Sequence, residues 1–217
     1  MARRGDIYGW PLHPLVRSFR LLAQQTFLWM LVRIFYRVRV SGRHNLRGLR
    51  GPVLFVPNHC LHSDNGILLT TIPLSWRWKL AVAAGADDIF GSRLRGTIAA
   101  ILANAFPLAR KGAVRRSMEL VSARLDRRFS LLIYPEGKMT LGGPMQPFRP
   151  GAGLIAVRTA APVVPVKLKV KHMSVIDRRG SRLRGEVEVV FGAPLRFGIE
   201  TPPATATLRL QEAVAAL

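Results

Sequence analysis

A single cysteine, Cys60, stands alone among 217 residues, which excludes an intrachain disulfide and fits a reducing compartment. Carboxylates are also scarce: 12 Asp and Glu face 33 Lys and Arg, a formal charge of +21 with a pI near 11.8. A surface this basic calls for an anionic partner, with nucleic acid and an anionic membrane face as the two candidates. Long apolar runs are missing too. The most membrane-like stretch, residues 21–36 (LLAQQTFLWMLVRIFY), is broken by Gln24, Gln25 and Arg33. A spanning helix needs about 20 mostly apolar residues, so a true span is not expected. Arg3 and Arg4 are not followed directly by an apolar core and a small-residue cleavage site, so no secretory signal is expected. Internal repeats and low-complexity linkers are absent, and a hydrophobic content of 49% excludes a disordered polyelectrolyte.

What remains is a chain long enough for one domain with a sizeable core. Short apolar runs bounded by Gly, Pro or charge recur at 52–59, 79–86, 129–137, 162–170 and 185–192, the pattern of buried strands. Helical patterns fall between or after them, at 92–104, 113–128, 151–160 and 203–216. In the second, Val114, Met118, Val121 and Leu125 form one apolar stripe. Strands alternating with helices predict a single α/β domain, a mostly parallel central sheet flanked by helices.

The N-terminal portion predicts a helix over 12–39 that lies on a membrane without crossing it. Arg17, Arg20, Arg37 and Arg39 flank its apolar core, and Trp10 and Trp29 sit in or near it. The expected division is therefore a membrane-associating segment over 1–45 and the α/β domain over 46–217. Residues 73–79 (PLSWRWK) place two tryptophans around Arg77 and read either as a second interfacial contact or as an ordinary loop.

One decapeptide concentrates polar chemistry: VPNHCLHSDN, residues 56–65, directly after an apolar strand. Three readings compete. A metal site would draw on His59, Cys60, His62 and Asp64, but no second Cys/His cluster supplies paired spacing, so no metal is expected. A polar turn would use Asp64 to cap a helix starting near Asn65. A catalytic pair would join His59 to Asp64, the imidazole as general base and the carboxylate on its other nitrogen. A spacing of five suits a strand-to-helix turn, and no G-x-S-x-G nucleophile occurs, so the base would act on a substrate hydroxyl.

Four ordered blocks carry a family resemblance. His59-x4-Asp64 within NHCLHSD resembles the signature of the glycerolipid acyltransferases, the group that includes 1-acylglycerol-3-phosphate acyltransferases. AFPLAR (105–110) is similar to the second block, YPEGKMT (134–140) and FRPG (148–151) to the third and its basic-Gly sequel, and APVVPVKL (161–168) to the fourth. The third block departs from the usual Gly-Thr-Arg or Gly-Thr-Thr: it reads Gly137-Lys138-Met139-Thr140, with a cation one position early.

The resemblance implies acyl transfer from acyl-CoA or acyl-carrier protein to the free hydroxyl of a lysophospholipid, with no cofactor. By it, His59 and Asp64 are catalytic, and Arg110, Glu136, Gly137 and Lys138 serve the acceptor's phosphate or glycerol, Glu136 either holding a glycerol hydroxyl or bracing Arg110. Backbone N–H groups near Gly137 would face the oxyanion, and Asn58 and Pro165 are supporting residues. An anionic membrane surface is the expected partner, at its cytoplasmic face, with the protein peripheral or monotopic. No nucleic acid is then expected. The competing readings are a basic nucleic-acid-binding protein, supported by charge and by the arginine-rich segment 177–185, and an inactive lipid-binding relative.

Overall fold

The computed structural model describes residues 9–217 apart from 88, 110–111, 142, 174 and 177–181, and only the backbone of 175–176 and 182–183. A seven-stranded sheet has the order β1 (Tyr36–Ser41), β9 (Gly185–Phe191), β6 (Val163–His172), β2 (Leu54–Pro57), β5 (Ser130–Ile133), β3 (Leu80–Gly85) and β4 (Ala105–Leu108). The five strands from β6 to β4 are mutually parallel, while β9 runs antiparallel to β6 and carries β1 parallel to itself. A separate ribbon pairs β7 (Val175–Ile176) with β8 (Arg182–Leu183).

The central strands β2 and β5 are buried at every position because both faces are covered. Val53 and Phe55 join one core cluster with Ile67 and Leu68, while Leu54 and Val56 join the other with Val121, Ile155 and Leu210. The first face is closed by α3 (Asp64–Thr71), and the second by α6 (Val114–Asp126), α7 (Pro150–Thr159) and α8 (Pro203–Ala215). Helix α7 meets α8 so closely that a Cβ on Gly153 would fall 2.1 Å from the Pro203 carbonyl oxygen, which requires glycine there. Toward the sheet edge, β9 alternates buried Val187, Val189 and Phe191 with half-exposed Glu186 and Glu188, the period of a strand covered on one face. A single-turn helix α4 (Leu74–Arg77) precedes β3, and α5 (Arg93–Ala103) lies between β3 and β4.

The N-terminal segment differs from the expected helix over 12–39. It comprises α1 (Pro14–Ala23), one π-helical turn (Gln24–Leu28) and α2 (Trp29–Phe35), and it stops at Phe35. Tyr36–Ser41 is a strand in full register with β9, so Arg37 and Arg39 lie on a sheet edge and residues 36–45 belong to the α/β domain. Its β-branched valines, Val38 and Val40, favour the strand once β9 offers a ladder.

Arg20 also departs from its expected lipid contact. It is buried, its Nε donates to Ile101 O (2.7 Å), and its Nη2 donates to Pro11 O (2.9 Å) and Ala100 O (3.0 Å). Gln24 adds a bond from Nε2 to Leu102 O (2.8 Å). Together they satisfy three of the last carbonyls of α5, where a cation also complements the helix dipole. Burial, with the nearby Arg17 charge, lowers the Arg20 pKa to about 10, so it stays charged at neutral pH. Arg77 acts alike on α3, with Nη1 donating to Leu69 O (2.7 Å) and Nη2 to Gln25 Oε1 (2.6 Å), and Arg43 caps Thr71 O (2.7 Å). Arg20→Ala strands buried carbonyls, and we expect a stability loss of roughly 2–4 kcal/mol. A lower urea midpoint at constant m-value is the readout; an unchanged midpoint would refute the clamp.

Candidate active site

Strand β2 ends at Pro57, and the next side chain continues its ladder. Asn58 Oδ1 accepts from Leu168 N (2.7 Å) while its Nδ2 donates to Leu168 O (3.1 Å), so a side-chain amide takes the place of a backbone step. The chain is then free to turn, yet His59 sits on a rigid support. Its backbone N–H donates to Glu136 Oε1 (2.7 Å), and its carbonyl accepts from both Thr140 N (3.0 Å) and Thr140 Oγ1 (3.1 Å).

Asp64 opens α3 and is fully buried. Its Oδ2 lies 2.9 Å from His59 Nδ1 and accepts from Cys60 N (2.7 Å) and Leu61 N (3.0 Å). The helix N-terminus and these donors stabilise its charge. With Nδ1 directed at a carboxylate, Nε2 is the imidazole nitrogen left for chemistry. The expected cap is not formed: Ser63 takes the N-cap position of α3 without a side-chain cap bond, and the Asp64 carboxylate instead folds back on the preceding turn and holds the histidine. Tyr134 stacks on the His59 ring at 4.2 Å between centroids, 27° from parallel, and its hydroxyl donates to Asn65 Oδ1 (3.0 Å). Burial, reinforced by the Asp64 charge, keeps that hydroxyl well above the ordinary tyrosine pKa.

Three expectations change. Glu136 is buried, and its two oxygens accept the N–H groups of His59 and Gln146 (both 2.7 Å), so it braces the loops rather than reaching a glycerol hydroxyl. Gly137 N–H already donates to Tyr134 O (3.2 Å), closing a turn, and so is not an open oxyanion donor. That turn needs glycine, since φ is +70° and a Cβ would fall 2.5 Å from Arg149 Nε. Lys138 is exposed and outside the wall of the adjoining cavity. Pro165 lies in β6 opposite Val56, a core position. Arg110 falls outside the described residues.

His59 lines a cavity of about 540 Å³ that runs past the carboxyl ends of β3, β4 and β5 between α5, α6 and α7. Its wall is mostly apolar, including Val82, Ala103, Leu108, Met118, Ile133 and Leu154. Arg149 is the one Lys or Arg in that wall among the described residues. Its backbone N–H and Nε donate to Pro135 O (2.8 Å) and Glu136 O (3.2 Å), strapping FRPG to YPEG. Sequence reasoning passed over Arg149, Thr140 and Tyr134 as site residues, although each lies in a quoted block. His62 is exposed, and among the described residues no three His, Cys, Asp or Glu side chains converge as metal ligands. Cys60 is buried, and burial together with the Asp64 charge pushes its thiol up to about 12, which makes it unreactive near neutral pH.

Known proteins align with this architecture. The family model described as Acyltransferase matches residues 37–169. A chloroplastic 1-acyl-sn-glycerol-3-phosphate acyltransferase of Brassica napus is 27% identical over 175 residues, 77% of this chain and 48% of its own. The lyso-ornithine lipid O-acyltransferase of Pseudomonas aeruginosa is 29% identical over 160 residues, 72% of this chain and 58% of its own. This chain thus spans about half the length of the curated relatives it matches. The crystal structure of the 1-acyl-sn-glycerophosphate acyltransferase PlsC from Thermotoga maritima superposes with a TM-score of 0.63 at 20% identity, covering 100% of this chain and 82% of that one, a likeness of fold. With four sequence blocks in order and a model match over most of the α/β domain, the chain belongs to the Acyltransferase family, in its glycerolipid group.

Proposed function

We propose that this protein is an O-acyltransferase that moves a fatty acyl group from acyl-CoA or acyl-carrier protein to the free hydroxyl of a lysophospholipid such as 1-acylglycerol-3-phosphate. The observation that carries the reading is the His59 Nδ1–Asp64 Oδ2 contact of 2.9 Å at the wall of an apolar cavity of about 540 Å³. Such a volume lies within the usual ligand range of ~300–1,000 Å³.

His59 Nε2 accepts the acceptor's hydroxyl proton as the oxygen attacks the thioester carbonyl. Asp64 stabilises the imidazolium that forms, and the proton then passes to the departing thiolate. The cavity receives an acyl chain, and Arg149, with Arg110 by family resemblance, meets the acceptor phosphate. No resident cofactor enters this scheme. Product mass spectrometry across a panel of lysolipids, with acyl-CoA and acyl-carrier protein as donors, is the test. Lysolipid-dependent diacyl product is expected, and no transfer with any pair would reject the proposal.

The N-terminal helices seat the enzyme on its substrate's membrane. Phe19 (58% exposed), Leu22 (64%), Phe27 (61%) and Trp29 turn outward, and Leu94, Ile98 and Leu102 of neighbouring α5 add to that apolar surface. No described helix is long and apolar enough to cross a bilayer; the exposed apolar surface supports a monotopic or peripheral contact, which we assign to the cytoplasmic face as part of this proposal. Removing the segment is a poor test, because Val32 is in the core and Arg20 clamps α5. The triple change Phe19→Ser, Leu22→Ser and Phe27→Ser keeps those contacts. We expect it to cut flotation with anionic liposomes at least tenfold while leaving the melting temperature unchanged. Wild-type binding should rise with anionic lipid and weaken, without vanishing, in high salt. Undiminished flotation of the triple variant would refute the placement.

A further inference from the structure

Strands β2, β5 and β3 start around a second concavity, about 510 Å³, lined by Gly51, Trp76, Trp78, Lys79, Arg128 and Ser130 among others. It lies at the end of the sheet opposite His59, separated from it by the length of β5, roughly 13 Å at 3.3 Å per residue. The three segments that form it, 43–51, 73–80 and 127–131, contain seven Lys and Arg and no Asp or Glu. Arg43 and Arg77 donate to the C-terminal carbonyls of α3, which leaves five other cations in these segments, Lys79 and Arg128 among them lining the pocket. Among the described residues neither Lys79 nor Arg128 makes an ion pair.

Arg128 stands in a conformation that favours another residue. Its φ is +65°, and it occupies the position just past α6 where its N–H bonds to Leu125 O (2.8 Å) and Phe129 N–H bonds to Arg124 O (2.9 Å). Helices commonly end this way with glycine, because a Cβ is strained there. The guanidinium lies beside Gly51: a Cβ on that glycine would sit 3.7, 3.8 and 3.9 Å from Nη2, Nη1 and Cζ. Arg128 thus brings a planar donor fork to the pocket wall beside Lys79, and the described lining residues include no carboxylate.

The rim faces the apolar N-terminal surface. Trp78 and Leu74 are exposed, and Arg17 of α1 lies over the Trp78 ring at 4.6 Å. Farther along the same helical run, Leu28 and Val32 pack beside Gly66 of α3, next to the acyl-transfer site.

We propose that this pocket binds the phosphate of an anionic membrane lipid, at a site separate from the acyl-transfer centre. The proposal rests on the membrane placement of α1 and α2 given above. Arg128 and Lys79 meet the phosphate oxygens, the indoles of Trp76 and Trp78 flank the glycerol, and the acyl chains leave along the exposed apolar face. Free phosphate offers the same oxygens without the glycerol and chains, and so should bind more weakly.

The test uses the full-length protein with no thioester present, following tryptophan fluorescence and melting temperature during titration with dihexanoyl phosphatidate, dihexanoyl phosphatidylcholine or inorganic phosphate. Saturable binding of the phosphatidate is expected, about tenfold tighter than inorganic phosphate and absent for the choline lipid. Arg128→Gly relieves the positive-φ strain, so its unliganded melting temperature should be equal or higher, while its phosphatidate affinity falls about tenfold. Lys79→Gln should weaken binding similarly. Neither change should alter acyl transfer to a soluble short-chain lysolipid. Equal affinity for inorganic phosphate and phosphatidate would overturn the lipid assignment. Binding that ignores both substitutions, or no saturable binding, would overturn the site. A soluble lipid reports on the pocket without a bilayer, so failure of the membrane placement, read by flotation, remains distinguishable.

Discussion

His59→Ala should abolish acyl transfer and leave the fold intact. The imidazole side chain is about 23% exposed and lines the cavity instead of filling the core. Its removal leaves Asp64 with the Cys60 and Leu61 N–H donors, so no buried charge is left unpaired. The backbone bonds from Glu136 and Thr140 do not involve the ring and persist. Turnover should fall at least about 10⁴-fold, the scale seen when a catalytic base of this kind is lost. Melting temperature and far-UV circular dichroism should match the wild type. Near-wild-type turnover from the alanine variant would remove His59 from the mechanism and the general-base scheme with it.

Asp64→Asn should give the second largest loss, for a reason the local geometry changes. Protease triads suggest that asparagine forces the wrong imidazole tautomer. Here His59 Nδ1, Cys60 N and Leu61 N all converge on one oxygen, Oδ2. An asparagine would place its carbonyl oxygen there, because an NH₂ group would face two backbone donors. The tautomer then survives, and what disappears is the negative charge that stabilises the imidazolium. We expect kcat to drop roughly 10²–10⁴-fold with little change in acceptor KM. Asp64→Ala is less informative, since it strands two N–H groups and should also cost stability. An asparagine variant with kcat within threefold of wild type would show that Asp64 only shapes the turn.

The alternating strand and helix patterns were legible because buried parallel strands require continuous apolar runs. Four runs bounded the strands β2, β3, β5 and β6 to within a few residues, and β9 was equally plain. Strand β4 was not legible: unlike β2 and β5, which are as short but buried throughout, AFPL sits at the sheet edge and is buried only at Ala105 and Phe106. Strand β1 was hidden for a different reason. YRVRVS continues the arginine-rich flank of an apolar helix, and only the ladder offered by β9 decides against helix there.

Charge was the most misleading quantity. A total of +21 suggests a uniformly basic surface, yet Arg20 and Arg77 spend their donors on helix carbonyls inside the protein. Composition counts such residues without seeing where they point. The arginine-rich segment 177–185 that favoured a nucleic-acid partner lies mostly outside the described residues, and the family match points to lipid chemistry instead.

By itself the sequence determined the α/β class, the order of the four blocks and the candidate pair His59 and Asp64. These are local: each depends on residue type and short spacing, which a chain carries before it folds. Tertiary structure alone decided what surrounds that pair. Glu136, Thr140 and Tyr134 lie 75 or more positions from His59 and reach it only because β2 and β5 are neighbours in the sheet. It likewise decided that Arg149 lines the cavity while Lys138 faces solvent, because the turn at Gly137 packs against the FRPG segment. Which way a cation points depends on the elements packed around it, and those come together only in the folded chain.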